Sequence, residues 1–550
     1  MLKNILEKIE NQEMTISQWM LGFVGILFVR FIFETLSSPT PQGFLLSAIS
    51  FVHIGLYFLT TALGLICIVS YFNKDYLKNA KLLLFSLPII WIAPIVDIIL
   101  SKGKGYHMSY IYNTGKYLLL DFFKFFSPYY FEGATYGIRV GIIIILISIG
   151  WFVWRERKNI QQTVLAVLIC YIFLFIMGTL PSLLYTFSHF TETASLGSQN
   201  IMRYIYDLVT KSNIFYNTLH EGPLSVTPIR FLQLGFDKLL SQILFIISFI
   251  FGSIIFWKID SKKFKSVLAN MRPERIGSYI ALLLCGAGFA YINKLNSPFN
   301  FIDLLGFVCL IISWISLWMY AVHTNDIADV KIDEISNKDR PIIKKDLNQD
   351  EMRETSYIWL SLALLGSWSA GFYPFFMSLV YLACSYIYSS PPLRLRRFPV
   401  VPSFLIGTAS LATILAGFFF VSANKQIQTF PSLLALGIVI MVTLAINVKD
   451  MKDIEGDRAD GILSLPVLFG ENGVKIVGAC LALAFLLVPI FLSFYALYIF
   501  SIPAAIVGYK LVTKKPYTEK PLFILRFVFL GCVALSYLGI YWLAYLYKII

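Results

Sequence analysis

Long apolar runs separated by short polar segments make up most of the chain. Each run has about the 17–25 residues that an α-helix needs to cross the hydrocarbon core of a bilayer. The pattern predicts six spans before a basic linker, near residues 18–36, 46–72, 82–100, 136–154, 161–188 and 239–257. It predicts nine more after the linker, near residues 276–293, 301–322, 356–371, 373–388, 402–422, 430–447, 474–495, 496–512 and 523–547. We therefore expect an all-α integral membrane protein with two domains, residues 1–260 and residues 261–550.

Composition agrees with a lipid-embedded protein. Of the 550 residues, 57% are hydrophobic and only 14% are charged, whereas a soluble domain averages about 25% charged residues. The net charge of +13 comes from Lys and Arg in short loops, and no basic stripe with interleaved aromatics accompanies it, so nucleic-acid binding is excluded. The seven cysteines lie in apolar runs without a C-x-x-C pair, which disfavours a disulfide framework or a zinc site.

The distribution of basic residues predicts the orientation in the membrane. If the linker at 258–275 is cytoplasmic, counting spans places the loops 323–355, 389–401, 448–473 and 513–522 on the same side. All four loops are rich in Lys and Arg, as the positive-inside rule requires for cytoplasmic loops. We expect the N-terminus and these loops to be cytoplasmic and the C-terminus to lie outside. The aromatic stretch 117–131 is predicted to form an amphipathic helix along the membrane interface.

The first candidate site is the run N-D-I-A-D-V-K-I-D at residues 325–333. On one helix, Asn325, Asp329 and Asp333 recur every four residues and share a face, with Asp326 beside them. The carboxylates in such a row repel one another unless a cation lies beside them, and carboxylate oxygens are hard ligands of the kind that suits Mg²⁺. The alternative is a solvated acidic helix end, but stacked carboxylates at a membrane boundary are costly and tend to be functional.

A second acidic run, N-V-K-D-M-K-D-I-E-G-D, occupies residues 447–457. Asp450, Asp453 and Asp457 repeat the spacing of three and four residues, and the span count places both runs on one side of the membrane. Two acidic rows that face a shared cavity predict a site for two metal ions and one diphosphate.

The pair of runs resembles the signature of the UbiA superfamily of intramembrane prenyltransferases, N-D-x-x-D-x-x-x-D and D-x-x-D-x-x-x-D. Further matches are N-K-D-R-P-I at 337–342, G-x-x-x-L-P at 461–466 and Y-S-S-P-P-L-R-L-R-R at 388–397. The resemblance covers about residues 270–550, and residues 1–260 show none. It implies a nine-helix bundle around a membrane-accessible cavity, preceded here by a module of about six spans with unknown function.

The resemblance also implies an activity, the Mg²⁺-dependent transfer of an isoprenoid chain from a prenyl diphosphate to a hydrophobic or aromatic acceptor within membrane lipid. The metal-binding and catalytic residues would be Asn325, Asp326, Asp329, Asp333, Asp450, Asp453 and Asp457. The diphosphate would be bound by Tyr388, Arg394 and Lys449, followed by Arg340, Arg397 and Arg458.

The acceptor stays open at this point. The form K-D-x-x-D-x-E-G-D resembles branches that act on glycerol-lipid, chlorophyll-type or homogentisate-type acceptors. Members that use archaeal glycerol ether lipids carry Arg-Glu before the Lys-Asp pair, where this chain has Ala445 and Ile446. Two alternatives remain: a family member with a glycerol-lipid acceptor or a lipid-phosphate donor, and a transporter whose acidic rows bind a coupling cation.

Overall fold

The computed structural model describes residues 2–36, 48–103, 109–128, 133–189, 198–219 and 228–547. The chain divides into two compact units. The first consists of Met1–Phe264 and Phe299–Gly306, and the second of Lys265–Pro298 and Phe307–Ile550. The prediction that residues 1–260 and 261–550 are independent domains stays a prediction.

The first unit is helical throughout its described part. Its helices are α1 Leu2–Asn11, α2 Ile16–Leu36, α3 Ala48–Asn73, α4 Tyr76–Ser86, α5 Ile92–Leu100, α6 Gly115–Lys124, α7 Tyr136–Arg157, α8 Ile160–Gly178, α9 Leu180–Ser188, α10 Ser198–Thr210, α11 Asn213–Leu219 and α12 Pro228–Ile259, with a 3₁₀ turn at Leu87–Trp91.

Helix α13, Ser261–Ala269, lies across the division and leads into the second unit. The helices that follow are α14 Pro273–Ile292, α15 Asp303–Ala328, α16 Val330–Ser336, α17 Gln349–Ala370, α18 Phe372–Ser389, α19 Val401–Val421, α20 Ser432–Ala445, α21 Ile454–Ala459, α22 Leu465–Phe491, α23 Tyr498–Thr513 and α24 Lys520–Tyr547. Four 3₁₀ turns interrupt them at Leu395–Arg397, Ile427–Thr429, Ile446–Met451 and Tyr495–Leu497.

Fourteen helical segments in the described part of the chain are long and apolar enough to cross a membrane. The all-α integral membrane fold predicted from the sequence is thereby confirmed. Six of the segments end by Ile259 and eight begin at or after Pro273. The ninth long helix predicted for the second half, α17, is present, but its first turns carry Asp350, Glu351 and Arg353 and leave it more polar than the others.

Several boundaries differ from the predicted runs for local reasons. The run 161–188 is two helices, α8 and α9, which separate at Thr179 just before Pro181. The run 82–100 contains the 3₁₀ turn with Pro88 between α4 and α5. The helix predicted at 117–131 ends at Lys124, and residues 129–132 lie outside the described part.

In the first unit, α3 packs against α12 around buried polar side chains. His53 Nδ1 lies 2.7 Å from Asp237 Oδ1, and His53 Nε2 lies 2.8 Å from the Tyr110 hydroxyl. The Ser50 hydroxyl donates to the other oxygen of Asp237 at 2.5 Å. A buried carboxylate needs such partners because an unpaired charge inside a helical bundle is costly, and here they tie the two helices together.

In the second unit, α14 and α19 touch backbone to backbone. A Cβ atom at Gly286 would lie 1.9 Å from the Ile414 carbonyl oxygen, and one at Gly417 would lie 2.0 Å from the Leu283 carbonyl oxygen. Only glycine allows this approach, a common solution where helices pack within lipid. Because α19 is the most buried of the candidate spans, this crossing forms the centre of the core beside which the cavity opens.

Candidate functional site

A cavity of about 730 Å³ opens among the helices of the second unit. Most of its wall is apolar and comes from α14, α20, α22 and α24. One end is polar, where both acidic runs and the loop after α18 contribute side chains. The predicted site residues that line it are Asn325, Asp329, Asp333, Arg340, Tyr388, Lys449, Asp450 and Asp453.

The first acidic run does not form the single helix expected from its spacing. Helix α15 ends at Ala328, Asp329 is the N-cap of α16, and the chain bends between them. Asn325, Asp329 and Asp333 still line the cavity. Asp326 is buried and instead accepts hydrogen bonds from Asn270 Nδ2 at 2.8 Å and Arg272 Nη2 at 2.9 Å.

The second acidic run is also split, between the 3₁₀ turn Ile446–Met451 and α21. Asp450 and Asp453 line the cavity, whereas Asp457 is buried behind them in a small separate pocket. Helices α16 and α21 pack so closely that a Cβ atom at position 456 would lie 2.5 Å from Ser336 Oγ and 2.8 Å from Ile332 Cγ2. Gly456, which has no Cβ atom, allows this approach.

Asn337 joins the two runs directly. Its side-chain nitrogen donates to Asp333 Oδ1 at 2.9 Å and to Asp453 Oδ1 at 3.1 Å. Asn337 was noted in the sequence only as part of N-K-D-R-P-I, without a role, because a bridge to a residue 116 positions away leaves no local signal.

Arginines neutralise the buried carboxylates. Arg394 Nη2 lies 2.9 Å from Asp329 Oδ1 and 3.0 Å from Asp460 Oδ2. Arg396 contacts Asp329 Oδ2 and donates to Asp457 Oδ1 at 3.1 Å. The left-handed backbone of Arg394, with φ of 38°, is uncommon for a residue other than glycine, and the ion pairs help to hold it.

The sequence analysis did not assign a role to two arginines that pair with the buried carboxylates, Arg396 and Arg272. The loop Arg394–Arg397 was recognised, but its 3₁₀ turn directs Arg396 into the cavity and leaves Arg397 exposed. Arg458 is exposed as well. Of the predicted diphosphate-binding residues, Arg394, Arg397 and Arg458 are not among those that line the cavity. Arg272 was counted with the basic linker, yet it pairs with Asp326, and burial lowers its pKa to about 10.

Tyr388 and Lys449 lie together, as expected for side chains that contact one ligand. Lys449 Nζ donates to the Tyr388 hydroxyl at 2.6 Å and lies 4.6 Å from the centre of its ring. Lys449 is also 3.9 Å from Asp450 Oδ1. The pair combines a cation and a hydroxyl donor beside the carboxylates.

The donor set of the cavity fits a divalent cation, although within the described residues no three His, Cys, Asp or Glu side chains form a ready-made metal cluster. Asp333 Oδ2 is buried and accepts no hydrogen bond within the described part of the chain. Burial and the neighbouring Asp326 raise the pKa of Asp333 to about 6, and burial raises the pKa of Asp457 to about 6. Both shifts arise first from burial, which disfavours the charged carboxylate. Asp333 thus offers the cavity a buried carboxylate oxygen of the kind that Mg²⁺ prefers.

Fold and site together define an integral membrane protein whose helical bundle holds a polar, carboxylate- and arginine-lined end of a large apolar cavity. Residues 279–533 match the UbiA prenyltransferase family. The resemblance seen in the acidic runs is thereby confirmed.

Individual relatives are similar over part of their length. Chlorophyll synthase of Avena sativa is 32% identical over 231 residues, which cover 38% of this chain and 59% of the relative. Chlorophyll synthase of Oryza sativa is 34% identical over 30% of this chain and 46% of the relative. Digeranylgeranylglyceryl phosphate synthase of Methanocaldococcus jannaschii is 26% identical over 31% of this chain and 58% of the relative. The chain thus spans about half the length of these relatives.

A solved structure is similar over the same part of the chain. It is a UbiA homologue from Archaeoglobus fulgidus bound to GPP and Mg²⁺, with 16% identity and a TM-score of 0.39, and it covers 50% of this chain and 97% of the homologue.

Proposed function

We propose that the protein is a Mg²⁺-dependent intramembrane prenyltransferase, which moves an isoprenoid chain from a prenyl diphosphate to a hydrophobic, aromatic or lipid acceptor. One observation carries the proposal. Two acidic runs more than a hundred residues apart converge, with basic side chains, at one end of an apolar cavity within a helical membrane bundle. A ligand with a polar head and an apolar tail fits this cavity, which has one polar end and an otherwise apolar wall.

The polar end binds the diphosphate of the donor. Lys449 and Tyr388 are hydrogen-bonded to each other, and each can donate to a phosphate oxygen. Arg396 lines the cavity and presents a planar guanidinium group, which suits phosphate oxygens in a bidentate arrangement. Arg394 supports this end through its ion pairs with Asp329 and Asp460. Arg340 also lines the cavity, with its Nε 3.8 Å from Asp333 Oδ2.

The carboxylates at this end would hold the metal. Asn325, Asp329, Asp333, Asp450 and Asp453 line the cavity. When bound, Mg²⁺ neutralises charge that develops on the leaving diphosphate. Asp326 and Asp457 lie behind this layer and act through the arginines that they bind, Arg272 and Arg396.

The apolar part of the cavity binds the isoprenoid chain and excludes water. Its wall includes the aromatic side chains of Tyr279, Trp318, Tyr381 and Phe430. Aromatic faces stabilise a nearby cation, so this wall can protect the allylic carbocation that forms when the C–O bond of the donor ionises. The acceptor then attacks that carbon.

Orientation and domain organisation belong to the same proposal. The acidic runs and the N-terminus face the cytoplasm and the C-terminus faces outside, and residues 261–550 form the prenyltransferase domain after a membrane module at 1–260. In a cysteine-free background, single cysteines at Asp339 and Lys515 should resist impermeant thiol reagents in intact cells. A cysteine at Gln426 should react. Labelling at Asp339 or Lys515 from outside would contradict this orientation.

The test of function is a screen of the purified protein with prenyl diphosphates of ten to twenty carbons and Mg²⁺. Relatives named as chlorophyll, digeranylgeranylglyceryl phosphate, homogentisate and naringenin enzymes suggest the acceptor panel. Release of diphosphate together with a product mass increased by the prenyl group is expected, and EDTA should abolish both. Binding of divalent cations without any diphosphate release from any donor would favour cation transport instead.

A further inference from the structure

Arg526 lies on α24 within the membrane-spanning segment Lys520–Gly539 and lines the cavity of the second unit. Glu519, immediately before this helix, accepts a hydrogen bond from Arg275 Nη2 at 2.6 Å. Arg526 is seven residues further along, which is about 10 Å deeper at the helical rise per residue. It therefore lies along the cavity wall beyond the charged end.

Within the described residues, no carboxylate is among the groups that act electrostatically on Arg526. The groups that act on it electrostatically are Tyr279, Cys285 and Arg275. In the described part of the chain, its guanidinium makes neither an ion pair nor a hydrogen bond. By contrast, the other arginines of the cavity, Arg272, Arg275, Arg340 and Arg396, each lie within 4 Å of a carboxylate.

An isolated cation inside a membrane bundle is expensive, and such residues usually mark a path or a site for an ion or substrate. The cost falls if the ligand itself brings the negative charge. Arg526 cannot lose its proton to escape this cost, because a guanidinium stays charged in proteins. An anion in the cavity would receive up to five N–H donors in a rigid, planar arrangement.

We propose that Arg526 binds an anionic group of the acceptor, a carboxylate or a phosphate, so that the acceptor is an acidic amphiphile rather than a neutral one. This inference rests on the proposed prenyl transfer. The diphosphate of the donor already has cations at the polar end of the cavity, on Lys449, Arg340 and Arg396. Arg526 is placed beyond that end, where the second substrate meets the prenyl chain.

The experiment compares acceptors with and without the anionic group. One pair is homogentisate and its methyl ester, and the other is geranylgeranylglyceryl phosphate and the corresponding uncharged alcohol. For the pair that is turned over, we expect kcat/KM to favour the anion by about 10- to 100-fold, as charge-assisted hydrogen bonds allow. Which pair responds distinguishes a carboxylate from a phosphate acceptor.

Arg526→Met should remove this preference and Arg526→Lys should retain part of it. The matched control is Lys520→Met, an exposed basic residue at the start of the same helix, which should leave the preference intact. KM for the prenyl diphosphate should stay within about twofold in all three variants. Calorimetric binding of homogentisate and of the glyceryl phosphate to donor-free protein provides a readout that does not depend on turnover, with binding weakened by Arg526→Met.

Three results would overturn the inference while leaving prenyl transfer intact. The first is equal use of the charged and uncharged acceptors. The second is efficient use of neutral naringenin alone. The third is an Arg526→Met variant that raises KM for the donor diphosphate and leaves acceptor preference unchanged. If no acceptor is prenylated and neither anion binds, both the inference and the proposed function fail. If an anion binds and Arg526→Met weakens that binding, but no transfer occurs, the proposed function fails and Arg526 is left as an anion-binding residue without a role in acceptor choice.

Discussion

Replacing Asn337 with Ala would separate the two acidic runs without removing a carboxylate. Its side-chain nitrogen donates to Asp333 and Asp453 at 2.9 and 3.1 Å. In the Ala variant both carboxylates lose a shared donor and repel each other more strongly. We expect weaker Mg²⁺ binding and slower transfer, because the two runs must keep their spacing to share one ligand.

The size of the effect follows from the two hydrogen bonds. A hydrogen bond to a charged group contributes about 1.5–3 kcal/mol, and water recovers part of this where the donor is partly exposed. Asn337 is partly buried, so the lower end of the range applies to each bond. A total of about 2–3 kcal/mol corresponds to a loss of roughly 30- to 150-fold in kcat/KM.

The assay measures diphosphate release and the Mg²⁺ concentration required for half-maximal rate. Asn348→Ala provides the control, since Asn348 belongs to the same loop but is exposed and only caps α17, accepting from Glu351 N at 2.8 Å. The loss of that cap costs about 1 kcal/mol of stability and should not affect transfer. If Asn337→Ala keeps the Mg²⁺ requirement and the rate of the control, the bridge between the runs has no functional role.

Three further predictions test the site and the domains. Asp453→Asn should lower the rate about 100-fold or more while the protein stays monodisperse in detergent. Asp329→Asn should lower the rate as much and also cost stability, because Asp329 is paired with Arg394 and Arg396; near-normal activity in both variants would contradict the assigned roles. Because the pKa of Asp333 is raised to about 6, Mn²⁺ affinity should fall as the pH drops below about 6 and binding should release protons, which calorimetry in two buffers measures; pH-independent affinity from pH 5 to 7.5 would be inconsistent with carboxylate ligands. Residues 261–550 expressed alone should transfer prenyl groups with the same Mg²⁺ dependence, and a folded but inactive truncation would show that the first unit contributes to the site.

Much of the fold could be predicted because lipid imposes a simple rule on the sequence. A span must be long and apolar, and each helix satisfies its own backbone hydrogen bonds. The same rule makes carboxylates at helix ends conspicuous, which is why both acidic runs could be recognised. The loop after α18 was equally visible, since three arginines after a pair of prolines stand out between apolar helices.

The positions of individual side chains depended on turns that spacing does not encode. Asp326 follows Asn325 on α15, before the bend at Asp329, and binds Arg272 instead of lining the cavity. One 3₁₀ turn decides that Arg396 rather than Arg397 faces the carboxylates. Arg526 escaped notice for a different reason: a single basic residue within an apolar run is usually placed at an interface, and only its position in the wall distinguishes it.

The arginines of the polar end neutralise buried carboxylates. Substituting one of them would therefore affect folding as well as catalysis. Arg396 binds both Asp329 and Asp457, which are almost fully buried. Removing one partner of a buried ion pair leaves an uncompensated charge and costs about 3–5 kcal/mol, so an Arg396 variant would lose folding and activity together. Asn337 and Arg526 avoid this problem, because neither residue is one half of a buried ion pair. Substitutions at these two positions therefore separate the assembly of the site from the binding of its substrates.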